Sequence, residues 1–515
     1  MPVSQENEHD NSVNDTKQLG LFAALASLSY VFWICGGMEL IERLAYYGVK
    51  ATAALYAKDP VSKGGLGITM NEFGTILMIW ALIQSFVPVF TGGLSDRLGY
   101  KETIFASTIV KISGYLIMGF FPTYYGFFAG AIVLAFGTGI FKPGIQGTLV
   151  KASNRKNSSM AWGVFYQTVN IGGWMGPLVA AQLRILDWQN VFFACAGIIS
   201  INFLFLMMYK EPGKEERLLE IARKKEQGIK EKPLWKASLE ELKNPVLINY
   251  LIIFSGFWFM FNALFDVLPV HIDDWVDTSV IVQDLFGPAG SSNGSVNFLL
   301  GMNSPTTISP EGLLNLNAGL IMITCFLFAA LSAKMRAPTS MLVGTMLATG
   351  ALFLIGSFNW AWLCVIGILI FSVGEMLSSP KSSEFIGNIA PKNKTAMYLG
   401  FTQFPLGIGW TLEAKIGPWL YEKFASKDRF SLEMLADKGM DQTKIDAIPQ
   451  GEGFDHLVEF TQLPASQLTQ ALYDSHNVGA VWHIMGIVGI ITCFGLFFYA
   501  RWIYGIQKNG KLAVS

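Results

Sequence analysis

Charged residues are scarce in this 515-residue chain: Asp, Glu, Lys and Arg together make up 15% of it, where a soluble domain carries about 25%. That scarcity excludes a disordered chain and an ordinary soluble domain. Neither sign dominates. With 37 basic and 38 acidic residues the net charge is −1, so bulk charge gives no attraction for nucleic acid. Histidine is rare too: His9, His271, His456, His476 and His483 are scattered, and no spacing reads as a metal site. The five cysteines, Cys35, Cys195, Cys325, Cys364 and Cys493, fall inside apolar runs and read as small core residues, not as disulfides. No Ser or Cys nucleophile motif occurs, so an enzyme is not expected, nor a bound cofactor. The stretch from Met1 to Lys17 lacks the basic-then-apolar order of a cleavable signal and reads as a disordered tail. What is abundant is apolar: 52% hydrophobic residues, 39 Phe, 14 Trp, 20 Met and 52 Gly, with a mean hydropathy of +0.41. The class is a multi-pass membrane protein, its glycines suited to close helix packing in lipid.

A bilayer-spanning helix needs about 20 mostly apolar residues. Windows of that size predict twelve spans, at roughly 22–48, 73–95, 103–122, 126–149, 161–183, 190–209, 246–268, 312–333, 339–358, 361–389, 395–421 and 477–503. An all-α fold of two six-helix bundles follows. The expected units are a tail (1–21), a first bundle (22–209), a charged linker (210–245), a second bundle (246–505) and a second tail (506–515). Two insertions, at about 269–311 and 423–475, belong to the second bundle; the latter reads as a solvated insertion rather than a cap. Lys and Arg set the orientation. Arg97 and Lys101, then Lys151, Arg155 and Lys156, ten basic residues of the linker, Lys334 and Arg336, and Lys392 and Lys394 all fall on one side. The segment from Pro269 to Glu311 has no Lys or Arg. Both termini and the linker are therefore expected in the cytoplasm, and the protein in the cell (inner) membrane.

Ionisable side chains inside spans are costly, which makes each a functional candidate. Span 1 holds the densest group. Glu39, Glu42, Arg43, Tyr46 and Lys50 share one helix face, and Glu39 and Arg43 stand at i and i+4, where they can pair. Two carboxylates around one guanidinium let one stay ionised while the other titrates. Span 4 carries Lys142 beside Pro143, and it needs a carboxylate from another helix or from a ligand. Span 5 carries Asn170 beside a glycine pair, and span 7 carries Asn262 and, one turn on, Asp266. Span 10 places Glu375 ahead of Pro380. Glu413 and Lys415 read as a pair near the outer rim, and Lys111 as a snorkelling lysine. A cavity between the bundles would then be positive on one wall and negative on the other, which suits a zwitterion.

These residues also carry a resemblance. ELIERLAYYG (Glu39 to Gly48) resembles the ExxER…YYG motif of the proton-dependent oligopeptide transporter family, a branch of the major facilitator superfamily. GGLSDRLGYKETI (Gly92 to Ile104) is similar to the superfamily's 2–3 loop. GTGIFKPG, FYQTVNIGG and GEMLSSP are similar to this branch's span-4, span-5 and span-10 segments. The resemblance implies two bundles moving di- and tripeptides inward with protons, by alternating access, in a chain that works as a monomer. It implies proton coupling through Glu39, Glu42, Arg43, Lys142 and Asp266. Substrate contact would fall to Tyr46, Tyr47, Lys50, Lys142, Asn170, Asn262 and Glu375, and conformational change to Gly93, Asp96 and Arg97 of the 2–3 loop. Two positions depart from the pattern: Lys50 stands where many members carry Arg, and Asn262 where span 7 usually carries an acid. A carrier for another small zwitterionic or anionic solute stays open as the alternative.

Overall fold

The computed structural model describes residues 21–153, 158–226, 240–332, 334–391, 398 and 400–508. Twelve long helices dominate it: α1 (Tyr30–Lys58), α2 (Met70–Leu98), α3 (Tyr100–Phe120), α4 (Tyr124–Ala152), α5 (Ser158–Arg184) and α6 (Trp188–Met207) form the first half. The second half holds α7 (Pro245–Asp266), α8 (Pro310–Ser332), α9 (Ala337–Ser357), α10 (Ala361–Ile389), α11 (Gln403–Ala425) and α12 (Ala480–Lys508). Among the described residues, nine of these are long and apolar enough to cross a membrane. The other three are α1, α5 and α11.

Local chemistry sets the boundaries. Ser29 caps α1 by accepting the Phe32 amide, so α1 begins at Tyr30 after a separate short helix, Leu21–Ala26. It also runs on to Lys58, past the expected end near 48. The apolar window stops at Lys50 because that charge looks incompatible with a span, yet Lys50 is neutralised by Asp266 of α7. Thr69 and Glu72 form a capping box on α2. Asn244 caps α7 with Pro245 in its first turn, and Ser309 caps α8 ahead of Pro310.

Glycine lets helices touch backbone to backbone. A Cβ on Gly172 or Gly176 of α5 would strike the Leu40 or Leu44 carbonyl of α1, so the α1–α5 pair that holds the charged cluster needs glycine at both positions. The halves meet chiefly along α2 and α11, where Phe86 and Phe404 stack edge to face, and along α5 and α8.

We call the side carrying the linker the linker face and the opposite side the loop face. On the loop face the second half adds a helix, Leu268–Trp275, and a two-stranded hairpin, β1 (Met302–Ser304) with β2 (Thr307–Ile308). The segment following α11 is not a solvated insertion. Its helices Lys427–Asp437, Gly453–Thr461 and Ala465–Ser475 bury Leu435, Leu457, Leu468 and Leu472 in the main core. It reaches the first half through Lys63–Asp455 at 2.7 Å and Ser62, which donates to Glu452. An amphipathic short helix shows the same polar faces whether it floats or docks, so composition alone did not separate the two outcomes.

On the linker face, Lys101 Nζ donates to the Tyr209 carbonyl at 2.7 Å and Lys214 pairs with Glu102 at 2.6 Å. The linker's first helix, Lys214–Glu226, is thereby pinned to the turn between α2 and α3. Residues 1–20, 154–157, 227–239, 392–397 and 509–515, which include Arg155, Lys156, Lys392 and Lys394, lie outside the described residues.

Candidate functional site

The charged face of α1 is buried against α3, α4 and α5. Glu39 is fully buried, Glu42 is 1% exposed and Arg43 6%. Arg43 bridges both acids, lying 3.4 Å from Glu39 Oε1 and donating from Nε to Glu42. Lys142 of α4 reaches Glu39 Oε1 at 2.8 Å. The sequence left Lys142 a choice of partners, and the structure gives it Glu39.

Lys111 of α3 corrects another expectation. It does not snorkel: it is 1% exposed, lies 3.4 Å from Glu42 Oε1 and sits over the Phe141 ring at 3.7 Å. Snorkelling needs a helix end within the side chain's reach, and Lys111 stands in mid-helix of α3. Three cations thus surround two carboxylates, leaving one positive charge in excess. Arg43 also faces the rings of Tyr46 and Tyr47, at 4.7 and 5.8 Å.

Towards the loop face, Lys50 pairs with Asp266 of α7 and lies 4.3 Å from the Trp410 ring of α11, whose Nε1 donates to Asp266 at 2.9 Å. Beyond it Lys58 holds Asp273 and Asp274. Burial alone would raise the Asp273 carboxyl, but the Lys58 ammonium beside it holds it below the ordinary carboxylate range. Arg184 of α5 pairs with Glu311, fully buried at the start of α8. Among the described residues, every ion pair that joins the halves lies on the loop face, so in this conformation that face is closed. Truncating one partner of a buried pair costs about 3–5 kcal/mol, whereas replacing both with apolar groups can be neutral. Arg184→Leu is therefore expected to lower the thermal midpoint in detergent sharply, and Arg184→Leu/Glu311→Leu to recover most of the loss; a double variant as unstable as the single one contradicts this.

Between the halves lies a cavity lined by Tyr47, Asn170, Phe261, Phe265, Asn317 and Glu375, among others. Glu375 of α10 accepts a hydrogen bond from Asn317 of α8 at 3.0 Å, and Asn317 is fixed in turn by Ser372 at 2.9 Å. Of the residues expected at substrate, Tyr47, Asn170 and Glu375 line this cavity, whereas Tyr46, Lys50, Lys142 and Asn262 do not. Tyr46 accepts a hydrogen bond from Gln84 at 2.9 Å, and Asn262 donates to the Trp258 carbonyl one turn back. Asn170 likewise donates to the Tyr166 carbonyl one turn back, at 3.0 Å. α2 carries Gly93, Asp96 and Arg97, whose side chains lie outside the described residues.

The Glu413–Lys415 pair does not form. Positions i and i+2 diverge on a helix, and Lys415 bonds Asn71 and Thr75 of α2 at 2.8 and 2.9 Å. Sequence reading missed Asn317, Gln84, Trp410 and the role of Lys111. An asparagine at the head of the long apolar run of α8 was the available signal for Asn317.

Comparisons with known proteins agree with this architecture. The Major Facilitator Superfamily model matches residues 44–412. The chain is 25% identical over 181 residues to an uncharacterized transporter, YclF, of Bacillus subtilis and 28% identical over 178 residues to the peptide transporter YePEPT of Yersinia enterocolitica. These matches span 34% and 33% of this chain, and 36% and 34% of those relatives' lengths. A multidrug resistance protein, MdtH, of Photorhabdus laumondii is 19% identical across 84% of this chain and 86% of its own. In three dimensions the chain is similar to a peptide transporter, POT, crystallised with sulfate, with a TM-score of 0.65 and 15% identity over 94% of this chain and 99% of that one. The family match across most of the chain, on twelve helices arranged in two halves around a central cavity, places this multi-pass membrane protein in the Major Facilitator Superfamily.

Proposed function

We propose that the chain is a proton-coupled symporter of the oligopeptide transporter branch, importing di- and tripeptides by alternating access. The observation that carries the reading is Glu375: one carboxylate in a largely apolar cavity between the halves, across from the Tyr47 edge of a cluster with one excess positive charge. A peptide's amine would bond Glu375 and its carboxylate would lie towards Tyr47 and the Arg43 cluster, with Lys142 reachable once Glu39 is released. Asn170 and Asn317 offer the amide groups that a peptide bond needs. The motif resemblance and the peptide-transporter likenesses support the same cargo.

Coupling would run through Glu39, Glu42 and Arg43 inside the first half, and through Lys50 and Asp266 at the loop-face gate. With the linker and termini in the cytoplasm at the cell (inner) membrane, the ion pairs on the loop face would form the extracytoplasmic gate of the cycle. No cofactor enters the cycle beyond protons.

Competition uptake of a labelled dipeptide in proteoliposomes tests the reading. Unlabelled di- and tripeptides should compete, and an inward proton gradient should stimulate uptake. Competition by another zwitterion or a small anion without competition by peptides would favour the alternative cargo.

A further inference from the structure

Glu413 of α11 is assigned no role by the coupling scheme above, yet its surroundings are unusual. Its side chain is fully buried, and neither carboxylate oxygen accepts a hydrogen bond from any described donor. Oε1 lies over Gly417 on the next turn, close to the Met485 methyl of α12 and Val267. Gly74 of α2 packs against Ala414 and Pro418 on this stretch of α11, so that neighbour brings backbone contact and no charge. The charged groups facing Glu413 are Asp266 of α7, whose carboxyl is within hydrogen-bonding reach, and Lys50 of α1.

An ionised carboxylate without donors in such a setting loses its hydration with nothing in return. The charge count points the same way. Lys50 is a single cation among two acids, and Asp266 already takes both the Lys50 ammonium and the Trp410 Nε1–H. Two adjacent buried carboxyl groups do not both ionise beside one cation; one keeps a proton and donates it to the other. A neutral Glu413 has the one donor that the geometry lacks, an O–H directed at Asp266.

We infer that Glu413 and Asp266 form a carboxyl dyad that holds one shared proton at the closed loop-face gate. With that proton the group Lys50–Asp266–Glu413 is neutral overall. Opening the gate parts Lys50 of the first half from the dyad of the second. The ionised member then takes a proton from loop-face water, forming an O–H bond and leaving both acids neutral, which keeps Lys50 released. Closure returns Lys50 to Asp266, and the second proton is given up to water in the cavity between the halves, on the side of the gate away from the loop face. The direction of use rests on the proton-coupled reading above; the shared proton does not.

Infrared spectroscopy of the full-length protein in nanodiscs tests the dyad without any substrate. At neutral pH the protonated-carboxyl carbonyl band should lose one component in Glu413→Gln. The same component should disappear in Asp266→Asn, because Glu413 then becomes the acid that pairs with Lys50 and ionises. An unchanged band in Glu413→Gln shows that Glu413 is ionised and overturns the proposal. Loss in Glu413→Gln but not in Asp266→Asn shows an isolated neutral acid and overturns the sharing. If one variant does not fold, persistence of the component in the other still overturns the proposal. If both lose the component while peptides fail to compete for uptake, the dyad stands and the cargo assignment falls.

Discussion

Glu42→Gln is expected to abolish uphill uptake. A proton gradient of about two pH units is worth about 2.7 kcal/mol per proton, roughly a hundredfold accumulation for a one-to-one symporter. The substitution fixes Glu42 in its neutral form, so accumulation should fall to about onefold. The geometry explains why Glu42 is exposed to this loss. It is held by Arg43 on one side and Lys111 on the other, while Arg43 is shared with Glu39, which in turn holds Lys142. A change in any of these pairs alters which acid is compensated, which under the proposed function would couple a helix shift to proton binding. Peptide counterflow requires no net proton movement and should survive in part. The scheme fails if Glu39→Gln and Glu42→Gln, assayed separately, both retain gradient-driven accumulation.

Glu375→Gln is expected to separate substrates by their amine. Removing one partner of a buried charge pair costs about 2–5 kcal/mol, so uptake of free-amine dipeptides should drop by about 30-fold or more. N-acetylated dipeptides have no ammonium to lose and should be transported about as before. The hydrogen bond from Asn317 to Glu375 can form with glutamine's carbonyl, so the wall of the cavity keeps its shape. Equal losses for both substrate types would show that Glu375 supports the fold and does not contact the amine.

Part of the site was legible in the sequence because helical geometry makes neighbours of residues three and four apart. Glu39 and Arg43 pair as their spacing requires, and Glu375 stands out as an acid in the apolar middle of its span. The failures have a common form. Within its own helix a cation such as Lys111 looks like a snorkelling side chain, and two charges two residues apart, such as Glu413 and Lys415, look like a pair. Lys111 in fact faces Glu42 and Lys415 bonds Asn71, both on other helices, while Glu413 finds no described donor on any helix.

The sequence by itself determined twelve helical segments, the two halves and the identity of the groups that must be compensated. Hydropathy and helix period are local, and a charge in hydrocarbon demands a partner wherever the chain goes. Only the tertiary structure decided who compensates whom: Lys142 with Glu39, Lys50 with Asp266, Lys111 with Glu42, and Glu413 with no described donor. It also decided that the segment after α11 caps the loop face and that Lys142 lies outside the cavity lining. Ion pairing depends on a few ångströms between helices far apart in the chain, and helix packing, which no single segment encodes, sets those distances.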